Sequence, residues 1–172
     1  MYLTIFDLVL LIILFLFVSF GFALGLVQTI GALIGIIIGA WTAGIYYQPV
    51  GQWLGTFMLG NANLANVVAF ILVFTLINRL VGLAFYFINK VFNLVSIIPF
   101  TKSLNRLLGA VFGLLEGVLA LGLILYFASR FEISEWFNGV LAGSQVAAGL
   151  VKIASILAPL LPELVRQLKS VI

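Results

Sequence analysis

The sequence predicts an all-α integral membrane protein: four transmembrane helices in a bundle, followed by a C-terminal amphipathic helix. Three observations carry this. Of 172 residues, 65% are hydrophobic and 8% charged, against about 25% charged in a soluble domain. No charge lies between Asp7 and Arg79, a stretch long enough for several crossings of a lipid core at about 20 apolar residues each. The apolar runs are continuous, without the two-residue alternation of a barrel strand, so helices must satisfy the backbone in lipid.

The elements follow in order. The first helix is predicted over Thr4–Phe20. It lacks a basic leader region and carries Asp7, so it reads as a retained helix and not a cleaved signal. Residues 21–25, GFALG, form a tight break. The second helix runs from Val27 to Tyr47 and is expected to stop at Gln48-Pro49. A polar-aromatic segment follows, with Trp53 and Phe57 suited to the membrane interface. The third helix covers Leu64–Asn89 and the fourth Leu104–Ala128, with a break at Pro99 between them. Arg130, Glu132, Glu135 and Trp136 then mark a change of composition. The chain divides accordingly into a four-helix domain, residues 1–130, and a helical tail, residues 131–172.

In the tail, Val146, Leu150, Ile153, Leu157, Leu160, Leu164, Leu168 and Val171 recur at spacings of three and four. Gln145, Lys152, Ser155, Glu163, Arg166 and Ser170 lie on another face. This is an amphipathic helix, kinked near Pro159 and Pro162. It can lie in the interface or pack on its own protein; alternatively, residues 139–161 form a fifth span with Lys152 buried.

Basic residues orient the chain. The loop between helices three and four has Lys90, Lys102 and Arg106 and no acid; the loop between two and three has no charge. The 90–106 loop is therefore expected in the cytoplasm and both termini outside, although Lys152, Arg166 and Lys169 then lie outside too.

The absence of Cys and His excludes disulfides, thiol nucleophiles, imidazole bases and Cys/His metal sites. Asp7 is the only Asp, so an aspartyl intramembrane protease is excluded as well. No enzymatic activity, metal or cofactor is expected. A net charge of +3 without a basic run argues against nucleic acid. The expected partners are the lipid bilayer, further copies in a homo-oligomer, and a membrane protein that the sequence does not identify.

Two glycine ladders stand out: Gly31, Gly35 and Gly39 in helix two, and Gly109, Gly113 and Gly117 in helix four. Small residues every fourth position form a groove that admits another backbone; a pore-lining face is the alternative. The ladders align at an offset of 78 residues, IGALIGIIIGA at 30–40 against LGAVFGLLEGV at 108–118. That suggests two hairpins of common plan.

Glu116 lies midway along helix four, seven residues after Gly109 and so about 20° from that glycine's direction. A charge at this depth costs roughly 2.5 to 3.5 kcal/mol on insertion scales and should face protein or water. Helix three carries one central charge, Arg79, on a polar stripe with Thr75, Gly82, Tyr86 and Asn89. Arg79 stands 11 residues before Lys90, and Glu116 stands 10 after Arg106, which gives them nearly equal depth. The sequence predicts an Arg79–Glu116 ion pair between antiparallel neighbours. It either fixes helix register or lines an ion or solute path.

In these residues the chain resembles the bacterial colicin V production protein family. The resemblance rests on Asp7, on GFALG with Gly21 and Gly25, and on NRLLGAVFGLLEG at 105–117, where Arg106, Gly109, Gly113 and Gly117 keep the family's spacing. It covers about residues 3–145. The sequence departs from the family at Asn105, where an acid is common, at Ser19-Phe20, where a basic residue commonly precedes the glycine, and at Glu116, a position often basic. The resemblance implies a multi-pass protein of the bacterial plasma (inner) membrane, linked to bacteriocin production and envelope homeostasis. Two functions are carried forward: a membrane scaffold or assembly factor, and a small oligomeric transporter or channel centred on Arg79 and Glu116.

Overall fold

One glycine, not a loop, separates the first two helices. The computed structural model describes residues 4–56, 61–95, 101–131 and 133–160. In it α1 spans Ile5–Leu24 and α2 spans Leu26–Gly55. The break expected over 21–25 narrows to Gly25, which has φ 83°, a conformation that costs other residues a steric penalty. Gly21 lies inside α1. Thr4 caps that helix reciprocally with Asp7.

α2 does not stop at Pro49 but continues through it to Gly55. A proline forfeits one helical hydrogen bond, and in membrane helices neighbouring helices compensate for the loss. Here Tyr47 and Gly51 are both buried on either side of Pro49, and Gly51 lies close against Asn66, so packing holds the helix line. The first half of the expected polar-aromatic segment is therefore helical. α3 spans Ala62–Val95 and α4 Thr101–Ala128, both longer than predicted. All four helices are long and apolar enough to cross a membrane. Among the described residues there is no strand.

The helices pair between the two hairpins, not within them. α2 packs on α3 and α1 packs on α4, whereas α1–α2 and α3–α4 contacts are sparse. The expected neighbours, helices three and four, thus barely touch. The physical reason lies in the glycines. The α2 ladder meets α3, with Gly31 on Phe85, Gly35 on Asn78 and Gly39 on Phe74; the α4 ladder meets α1. In lipid, close approach replaces hydrophobic drive, so the ladders choose the partners. Each ladder packs on the helix that opens the other hairpin, in accord with two hairpins of common plan.

α2, α3 and α4 are joined by an aromatic cluster near one end of the bundle. Phe70 stacks on Phe127 at 3.9 Å between centroids, and Tyr47 meets Phe127 edge-on at 5.0 Å. Aromatic pairs contribute beyond their buried area, and this one clamps the end from which the tail departs.

The tail is not one long helix. α5 covers Glu135–Ala142, α6 covers Gln145–Ala154, and a 3-10 segment with Pro159 covers Ser155–Leu160. The chain bends by 83° between α5 and the Gln145–Pro159 stretch. α6 buries Ala147, Leu150 and Ala154, with Gly122 of α4 against Leu150 and Ala154. Ile153, expected on the buried stripe, is 54% exposed. The predicted face is rotated because close approach at Gly122 brings the Leu150 backbone and the small side chain of Ala154 against α4. Residues 145–160 pack on the chain's own bundle, with Lys152, Ile153 and Ile156 on the outer side, and α5 with the Gln145–Pro159 stretch together also has the length and composition of a broken span. Phe57, Pro99, Glu132, Pro162, Glu163, Leu164, Arg166, Leu168, Lys169, Ser170 and Val171 lie outside the described residues.

Candidate functional site

Three features meet the residues singled out by sequence: a glycine crossing, an acidic clamp and a polar seam.

At the crossing, α1 and α4 approach backbone to backbone. A Cβ on Gly21 would run into the carbonyl oxygen of Gly109, and one on Gly109 into that of Gly21 and into Gly25. A Cβ on Gly113 would lie 2.5 Å from the Phe17 carbonyl oxygen, and one on Gly117 would lie 2.9 Å from the Phe17 side chain. Gly25 faces the Asn105 side chain, whose Oδ1 accepts a hydrogen bond from Leu26 N–H at 3.0 Å. That satisfies one of the donors left over at the start of α2. Sequence reasoning saw Asn105 only as a departure from an acid; its carboxamide oxygen accepts the bond that a carboxylate oxygen also can. Arg106 sits at the same end, exposed, with its guanidinium 6.0 Å from the Phe22 ring centroid. It is nowhere near Glu116.

The clamp is Asp7, fully buried. Its Oδ2 accepts from Thr4 N–H and Thr4 Oγ–H, each at 2.8 Å. Its Oδ1 accepts from Ser144 Oγ–H at 2.5 Å and from Val146 N–H at 3.0 Å. Ser144 in turn caps α6, accepting from Ala147 N–H at 2.9 Å. One carboxylate thus serves the N-termini of both α1 and α6. Helix N-termini present unpaired donors and partial positive charge, so a single anion can hold two of them together. Asp7 was legible as a motif residue, but Ser144 was not picked out. The available signal was a serine directly before an apolar-periodic run, a helix-start pattern.

The seam lies between α3 and α4, where contact is sparse. Arg79 and Glu116 line the same two cavities, about 90 and 150 Å³. Gln28 and Thr29 join them in one; Thr75 and Asn78 join them in the other. Equal depth, read from residue counts, therefore holds. The predicted ion pair is not closed, however. Among the described residues no hydrogen bond or ion pair joins the two. Arg79 is exposed, Glu116 half-buried. The reason is the helix pairing above: the glycine ladders draw α3 to α2 and α4 to α1, leaving a gap where direct contact was expected. Gln28 and Asn78 are lining residues that sequence reasoning missed; Asn78 Oδ1 is buried without a hydrogen-bond partner. Among the described residues no cluster of acidic side chains could hold a metal ion.

The family model for the colicin V production protein matches residues 6–155. No curated protein and no solved structure matches the chain. The matched span begins next to Asp7 and ends just after α6, so Asp7, Ser144 and Val146 of the clamp, the crossing and the seam lie within it, and Thr4 stands just before it. With most of its length matched, and with four helices fit to cross a membrane, the chain is a membrane protein that belongs to the colicin V production protein family.

Proposed function

We propose that this protein is a multi-pass scaffold or assembly factor of the bacterial plasma membrane, acting in toxin production or envelope homeostasis and performing no catalysis itself. Family membership supports a role in colicin V production. The observation that carries the scaffold reading is the small size of the two cavities lined by Arg79 and Glu116, about 90 and 150 Å³; a larger space of about 590 Å³ lies at the far end of α2 against the start of α3, lined by Gln48, Gln52, Thr56 and Asn66 and by neither charge. The two small cavities hold a few waters at about 30 Å³ each, well below the 300–1,000 Å³ typical of ligand pockets. The glycine crossings and the Asp7 clamp build a firm frame around them.

A small transporter is the second reading. It is favoured by the convergence of Arg79, Glu116, Gln28, Thr75 and Asn78 on that one region. Reconstitution decides between the two. Purified protein in liposomes is expected to give no solute flux above empty vesicles and to copurify from membranes with a partner protein. Flux that disappears in Glu116→Gln would overturn the scaffold reading.

The orientation is tested in the same cysteine-free background. With the basic loop in the cytoplasm, Ser103→Cys, exposed at the start of α4, is expected to resist an impermeant thiol reagent until the membrane is opened. Labelling of intact cells from outside would reverse the orientation.

A further inference from the structure

We infer that the α3–α4 seam is an interface between two copies of this chain, in which Arg79 of each copy pairs with the partner's Glu116. The inference deepens the scaffold reading and rests on taking the seam as a docking surface. It begins with an imbalance. Arg79 is exposed where it lines the seam, midway along a helix fit to cross the membrane. A guanidinium left without an ion pair at that depth is costly, and it is permanently charged. Its own Glu116 lines the same cavities but makes no ion pair with it.

The neighbours of Arg79 point the same way. Leu72, Leu76, Leu83 and Tyr86 are between 44% and 60% exposed. With Arg79 and Lys90 they recur at intervals of four and three along α3, the spacing that keeps one helix face turned to a neighbouring helix. Beside them, Gly82 has open space where a Cβ would stand, so a second helix can come close. Across the seam, Leu115 of α4, beside Glu116, is 46% exposed.

The occupant follows from charge and symmetry. Most oligomers close by a two-fold axis, with one self-complementary patch on both copies. A two-fold along the bundle axis leaves every residue at its own depth. Arg79 can then meet only partner groups at the same level, and Glu116, lining the same cavities, is at that level. The seam carries one charge of each sign, so a second copy matches it twice over. An α3-on-α3 arrangement would instead set Arg79 against Arg79, so each α3 must lie toward the partner's α4.

Mixed charge reversal separates this from a pair inside one copy. Chains carrying Arg79→Glu hold two acids, and chains carrying Glu116→Arg hold two bases. Each alone is expected to lose dimer. Coexpressed with different tags, they form a mixed dimer with both contacts restored, and co-purification should rise at least roughly tenfold, a difference of about 1.4 kcal/mol. No rise on mixing, together with normal behaviour of a single chain bearing both substitutions, would mean that the pair closes within one copy and would overturn the inference. A second measurement guards against variants that fail to fold. Leu83→Cys chains mixed with Leu115→Cys chains should form disulfides in membranes, whereas Ile12→Cys with Leu115→Cys should not. Equal yields for the two mixtures would also overturn it. Liposome flux, which tests the scaffold reading, is independent of either result.

Discussion

Gly109→Leu is expected to abolish assembly of the bundle, with no stable protein recovered in detergent. A side chain there would meet the carbonyl of Gly21 and the backbone of Gly25, and backbone cannot swing aside as a side chain can. Overpacking in soluble cores costs typically 1 to 3 kcal/mol; a clash against two backbone segments should cost at least about 3. Gly113→Leu, facing the Phe17 carbonyl, should behave alike. Gly35→Ala should be milder, because the obstacle is the Asn78 side chain, which has rotamers available. Gly149→Leu is the control: nothing lies near a Cβ there, and a surface change of this kind stays within about 0.5 kcal/mol. Thermal unfolding in detergent orders the four. Equal stability for Gly109→Leu and Gly149→Leu would remove the crossing from the account of assembly.

Asp7→Ala is expected to free α6 from the end of α1. The substitution strands Ser144 Oγ–H and the N–H groups of Thr4 and Val146 in a buried place at once. Hydrogen bonds to charged groups are among the stronger ones, and leaving their partners unsatisfied adds to the loss. The four long helices keep their glycine contacts, so the opening should be local. Hydrogen exchange or protease cleavage within residues 144–154 should accelerate by at least roughly tenfold, one charged hydrogen bond's worth, while α2 and α3 remain protected. Ser144→Ala removes one donor of the four and should show a smaller acceleration in the same segment. Uniform acceleration over the whole chain would mean that Asp7 supports the bundle as a whole; no change in α6 would dismiss the clamp.

Several features needed only the sequence. Seventy-one residues without charge force helices, because no other open structure satisfies its backbone in lipid. The four-residue glycine spacing announced close contact, since only glycine lets two backbones meet, and counting residues from Lys90 and Arg106 placed Arg79 and Glu116 at one depth. These are local or one-dimensional properties, fixed by composition and helical rise. Tertiary structure alone decided which helix each ladder meets, because a groove of small residues accepts any neighbour and says nothing of its identity. It turned the expected ion pair into an open seam: once α2 took α3 and α4 took α1, the gap between α3 and α4 was settled by packing elsewhere. It carried α2 past Pro49, where buried contacts outweighed a lost hydrogen bond, and it rotated the tail so that Ala154 and the Leu150 backbone, not Ile153, met Gly122. It also joined Asp7 to Ser144, 137 residues away. The sequence shows each of these as a helix start; only the fold brings the two starts to one carboxylate.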